Sequence, residues 1–136
     1  MFEVFDHTAD LGLRIRAADL NSLFVEAARA LLAVIVSNPD AVEPREARAI
    51  RISGSVREDL LLDWLDELLF QFESKQFLVS QTEVTVGEDG LEAIARGETC
   101  DVARHLLAHE VKAVTYHGLK VEEADGGWLA EVILDI

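Results

Sequence analysis

The chain alternates between two polarity periods. Over "LGLRIRA" the apolar Leu11, Leu13 and Ile15 are interleaved with Gly12, Arg14 and Arg16, the period of two that marks a strand with one buried face. Asp19 then stands where a helix N-cap belongs. Leu20, Leu23, Phe24, Ala27, Leu31, Leu32 and Ile35 recur at steps of three and four, which predicts an amphipathic helix over residues 20–36. "SNPDAVEPRE" (37–46) holds both prolines of the chain and breaks the pattern, so a surface loop is expected. A strand over 48–53 follows, with Ile50 and Ile52 on one face. "SVRE" reads as a capping box, Ser55 bonding the backbone three residues on while Glu58 reaches back. The helix it starts carries Leu61, Leu65, Leu68, Leu69 and Phe72 on one stripe, widened by Leu62 and Trp64. So broad an apolar face suits a central helix covered on more than one side.

From Phe77 the period returns to two. "EVTVGEDGLEAIA" predicts a hairpin turning at Gly87–Gly90, and "LKVEEADGGWLAEVILDI" a second one turning at Asp125–Gly127. Between them "DVARHLL" (101–107) reads as a short helical turn or connection and "EVKAVTYHGL" (110–119) as a further strand. The order predicts one α+β or mixed α/β domain over residues 1–136, with two helices packed on sheet and a strand-rich C-terminal half. No convincing repeat is visible, although the two strand-helix units are compatible with a diverged duplication.

Composition narrows the class. Half of the 136 residues are hydrophobic and 28% are charged, as in ordinary globular domains. No stretch reaches the roughly 18 apolar residues of a membrane span, and no basic, apolar leader is present, so a cytoplasmic protein with no membrane association is expected. The lone Cys100 leaves neither an internal disulfide nor a cysteine-based zinc site. A net charge of −14 argues against strong direct nucleic-acid binding, which rests on clustered Lys and Arg. It favours a basic protein partner or a hard cation, or simply a solvated acidic exterior.

Two groups of residues carry candidate chemistry. In "DHTADLG", Asp6, His7, Thr8 and Asp10 sit at a strand-turn-strand junction, where Asp and Thr side chains commonly bond their own backbone. The alternative is an oxygen site for a cation. The last strand is apolar on both faces apart from Glu131 and runs straight into Asp135 and Ile136. If the first and last strands are neighbours, Asp10, Asp135 and the Ile136 carboxylate form a cluster whose repulsion a divalent cation relieves, Ca²⁺ or Mg²⁺ rather than Zn²⁺. The second group spans 97–119 and holds Glu98, Asp101, Arg104, His105, Glu110, Lys112, Thr115, Tyr116 and His117. On the expected strand, Glu110, Lys112 and Tyr116 share a face, either as a surface ion pair or as a recognition face. His7, His105 and His117 invite an acid-base reading, but no nucleophile elbow, phosphate loop or HExxH motif accompanies them.

"FEVFDHTADLGLRIRA", "LDWLDELLFQFES" and "EVKAVTYHGLKV" with the closing "VILDI" resemble the archease family along the whole chain. The resemblance implies an archease-like fold and an accessory, non-catalytic role. It implies activation of an RtcB-type tRNA-splicing ligase by promoting its guanylylation and multiple turnover. A chaperone-like or specificity-modulating action on a tRNA methyltransferase is the alternative. It further implies a Ca²⁺ site, with Mg²⁺ or Mn²⁺ as alternatives, at Asp10, Asp135 and Ile136, and activation residues best matched by Asp6, Glu98, Lys112 and His117. The chain departs from the family at Leu106, Leu107 and Ala108, where charged residues beside the histidine are more usual. A stand-alone metal-dependent phosphoester hydrolase is a third reading, against which the missing nucleotide loop and basic groove count.

Overall fold

In chain order the computed structural model, which describes residues 1–7 and 10–136, comprises β1 (Phe2–His7), β2 (Asp10–Ala17), α1 (Leu20–Ile35), a 3-10 turn at Pro39–Ala41, β3 (Glu46–Ser53), α2 (Arg57–Lys75), β4 (Phe77–Val86), β5 (Gly90–Thr99), β6 (Ala113–Ala124) and β7 (Gly127–Asp135). The strands divide into two antiparallel sheets, β1-β2-β7-β6 and β3-β5-β4. The α+β expectation therefore holds, with the two helices packed on two antiparallel sheets. No helix among the described residues is long and apolar enough to cross a membrane.

The helices join the sheets. α1 packs on β2 and β4, and α2 on β6 and β4, so one continuous core reaches both sheets. Asp19 caps α1 as predicted, its Oδ1 accepting from the Ser22 N–H at 2.8 Å. The stripe on α2 buries Leu61, Leu65, Leu68 and Leu69, and Trp64 is fully enclosed. Its indole N–H donates to the Phe24 carbonyl at 3.0 Å and ties α2 to α1. Such a bond satisfies the one polar group of a residue chosen for its apolar area.

Three local expectations are corrected. Ser55 caps nothing: α2 begins at Arg57 behind Val56, which offers no side-chain bond. Glu110 and Lys112 lie outside any strand, because β6 starts only at Ala113. The preceding connection is drawn instead to the end of α1, with His109 N–H donating to Val34 O and Ala108 N–H to Ile35 O. The residues expected to open a second hairpin belong to this same long β6, whose pairing with β7 jumps between Thr115 and Lys120. The alternation assumed for Glu110, Lys112 and Tyr116 is thus interrupted twice.

The topology gathers several segments at one end of the molecule. β2 runs away from Asp10 and α1, two residues later, runs back, so the last turn of α1 lies at the Asp10 end. The connection 100–112 crosses that end, from the Cys100 N–H on Gln76 O to the Lys112 N–H on Asp135 O.

Asp19→Ala is expected to lower the urea midpoint, because it removes the N-cap bond to Ser22. Ser55→Ala should stay within about 0.5 kcal/mol, as for a surface position without a special contact. Urea unfolding of the two variants checks both.

Candidate functional site at the paired strand ends

The β2–β7 register sets Asp10 opposite Asp135, and β6 places Ala113 on the other flank of Asp135. Directly paired residues project from the same face of a sheet, with Cβ atoms about 5 Å apart. The rows next to this one fix which face that is. Leu11 with Leu134, Leu13 with Val132 and Ile15 with Ala130 are all buried against the helices. Asp10 and Asp135, one residue out of phase with Leu11 and Leu134, consequently face away from the core and are half-buried. Ile136 follows immediately, also half-buried. The Lys112 N–H donates to the Asp135 carbonyl at 2.7 Å, which anchors Lys112 beside the pair while its side chain is exposed.

Asp10, Asp135 and Ile136 thus come to one strand end. Their donors are all oxygen and two are carboxylates, a set that suits a hard cation. Among the described residues no group of three or more His, Cys, Asp and Glu side chains is placed to hold a metal; the set here is two side chains completed by main-chain oxygen. On the same face Gly12 lies under Phe5, whose ring occupies the space an added Cβ would need. The Arg14 guanidinium sits 4.8 Å from that ring. Phe5 was not marked by the sequence pattern, and its covering of Gly12 depends wholly on the β1–β2 pairing.

The other expected site residues are dispersed. Asp6 pairs with Leu11, which puts it on the opposite face of the sheet from Asp10, and it is exposed. His117 is exposed in the irregular stretch of β6, where Gly118 takes a left-handed φ of 64°. Thr115 holds that stretch together, its hydroxyl donating to Ile133 O at 3.0 Å and accepting the His117 N–H at 3.3 Å. Thr8, and with it the expectation of a turn-former, lies outside the described residues, as does the His7 side chain.

Glu98 belongs to a different assembly in the other sheet. It is buried, and its carboxylate accepts the Glu43 N–H at 2.6 Å, an Arg104 N–H, and the His105 Nε2–H at 3.2 Å, with Arg45 at 3.7 Å. The Asp101 N–H donates to His105 Nδ1 at 2.9 Å, so the ring is a donor only through Nε2. Burial pushes the Glu98 carboxyl up, but the Glu43 N–H, Arg104 and His105 outweigh it and hold the group at about 2. Glu98 is a structural anchor for the loop 37–45 and the turn after Cys100, and it is not beside Asp10. Its partner Glu43 is 55 residues away, and no sequence signal links the two.

The fold and this site together define a two-sheet α+β protein that presents paired carboxylates at the junction of its second and last strands. The model of the Archease protein family (MTH1598/TM1083) matches residues 2–136, and the chain belongs to that family. It is 44% identical to the archease of Methanopyrus kandleri, over 99% of each chain. It is 39% identical to that of Pyrococcus abyssi, over 99% of this chain and 98% of the other. The solution structure of Methanobacterium thermoautotrophicum protein 1598 superposes with a TM-score of 0.81 at 38% identity, covering 99% of this chain and 98% of that one. The crystal structure of an archease, possible chaperone, from Thermotoga maritima shares the fold at a TM-score of 0.67 and 20% identity, covering 100% and 98%.

Because Glu98 binds its proton less readily in the fold than its ordinary 4.5, its contribution is complete above pH 4.5 and is lost as pH falls toward 2. Glu98→Gln should lower stability at neutral pH by about 3 kcal/mol, the scale for breaking a buried ion pair. The gap to wild type should close across that acid window, as read from urea midpoints at several pH values.

Proposed function

We propose that this chain is an accessory protein that activates an RtcB-type tRNA-splicing ligase, promoting its guanylylation and multiple turnover, and performs no turnover itself. The observation that carries the reading is the Asp10–Asp135 pairing beside Lys112 at one exposed strand end. A cation bound between carboxylates on paired positions offsets their mutual repulsion. Asp10, Asp135 and the main-chain oxygen of Ile136 hold Ca²⁺ in this proposal, with Mg²⁺ or Mn²⁺ as alternatives. Bound there, the ion supplies positive charge that offsets the carboxylates and can face a nucleotide phosphate. Lys112, fixed through its backbone on Asp135, presents an ammonium at the same edge.

An activator of this kind lowers a barrier it does not cross, by binding one conformation of its partner more tightly than another. Differential contact at the strand end is sufficient for that, and a buried catalytic pocket is not required. The net charge of −14 supports a partner with a basic, RNA-binding face in the cytoplasm, which an acidic protein approaches without competing for RNA. A second reading, a chaperone-like modulator of a tRNA methyltransferase, draws support from the Thermotoga maritima archease being described as a possible chaperone.

Single-turnover guanylylation of the ligase, with the cation varied, separates these readings. Asp10→Asn and Asp135→Asn should each weaken cation binding at least about tenfold, as loss of a ligand charge does, and should abolish the stimulation. Lys112→Ala should reduce stimulation while leaving cation affinity, measured by calorimetry, unchanged. Full stimulation by all three variants would overturn the proposal.

A further inference from the structure

The connection 100–112 is fastened at almost every residue, yet it displays apolar side chains. Leu106 O accepts the Ser37 N–H at 2.8 Å, and the Asn38 side chain clasps it twice, donating to Arg104 O and accepting the Leu106 N–H, both at 2.8 Å. His105 plugs inward onto Glu98, and Leu107 bridges to Val36. On this fixed backbone Val102 is 77% exposed, Leu106 57% and Leu107 50%. Single exposed apolar residues are ordinary on protein surfaces. Three on one immobilised segment of six residues, at the same end as Asp10 and Asp135, are a different matter. A surface ordered before binding loses little conformational entropy on docking, which is where a short apolar contact gains affinity.

We infer that Val102, Leu106 and Leu107 form a preorganised docking surface for a partner protein whose matching surface is an apolar hollow bordered by Lys and Arg. Charge selects this occupant. Beside the patch, Asp40 and Glu110 are exposed and make no ion pair among the described residues. The nearby arginines are engaged, Arg45 with Glu43 and Glu98 and Arg104 with Glu98 and Asp101, while Lys112 is exposed two residues beyond Glu110. Apart from Lys112, the apolar trio is therefore bordered by acidic groups, on a chain of net −14. A second copy would bring two such rims together, and a nucleic acid would meet the same repulsion. A basic protein face gains from the rim and buries the leucines.

The choice of probe rests on the accessory-protein reading: the partner assayed is the full-length RtcB-type ligase encoded in the same genome. Binding is measured by calorimetry for the intact chain, for Leu106→Ser with Leu107→Ser, and for Val102→Ser, each checked by thermal unfolding. The double variant should unfold like wild type and bind at least about tenfold more weakly, the scale of a lost apolar anchor. Val102→Ser should weaken binding less, and added salt should weaken wild-type binding through the rim. Wild type that binds while both variants bind equally well overturns the docking surface and leaves the accessory reading intact. Wild type that fails to bind the ligase overturns the accessory reading and this inference with it. Concentration-dependent dimerisation of wild type that the double variant abolishes overturns it in favour of a second copy.

Discussion

The pairing of β2 with β7 is the contact on which the rest of this structure depends. It runs from Asp10 opposite Asp135 to Ala17 opposite Trp128 and joins the two ends of the chain through the middle of a four-stranded sheet. Because side chains alternate across a strand, one register serves two purposes. It turns Leu11, Leu13 and Ile15 into the core with Leu134, Val132 and Ala130, and it turns Asp10 and Asp135 outward together. A slip by one residue would exchange the faces, exposing the leucines and burying the carboxylates. The hydrophobic effect on the inner face therefore enforces the geometry of the outer one. Closing a loop of this length is costly in entropy, so the pairing persists because the core rows are fully buried.

A second constraint lies in the other sheet. Glu98 is a buried carboxylate, and its desolvation is offset by a backbone N–H, an arginine and a histidine drawn from two separate loops. That network fixes the turn after Cys100, and the Asn38 clasp extends the order to Leu106. The connection between the sheets becomes a rigid ledge alongside the Asp10–Asp135 edge.

Much of this was legible from local pattern. Both helices, the Asp19 cap, the two hairpins and the alternation of the first long strand follow from periodicity and turn residues, whose physics acts over a few positions. Two local expectations failed. Ser55 and Glu58 have the spacing of a capping box, yet the chain enters α2 at Arg57. Residues 110–112 have strand-like composition, but the chain just before them is bonded to the end of α1 and β6 starts only at Ala113. At the second place tertiary contacts override local preference.

The candidate site divides in the same way. Sequence alone determined that Asp10 and Asp135 flank strands apolar enough to be central, so that they would share an oxygen site if those strands were neighbours. It also determined the family, since the matching residues run the length of the chain. Only the tertiary structure decided that the strands pair in the register that makes the two carboxylates opposite each other. It likewise separated Asp6 onto the other face and drew Glu98 into a buried ion network with Glu43, 55 residues distant. The physical reason is range: polarity period and turn chemistry are properties of adjacent residues, whereas desolvation and pairing are settled by whichever distant groups the fold brings within bonding distance.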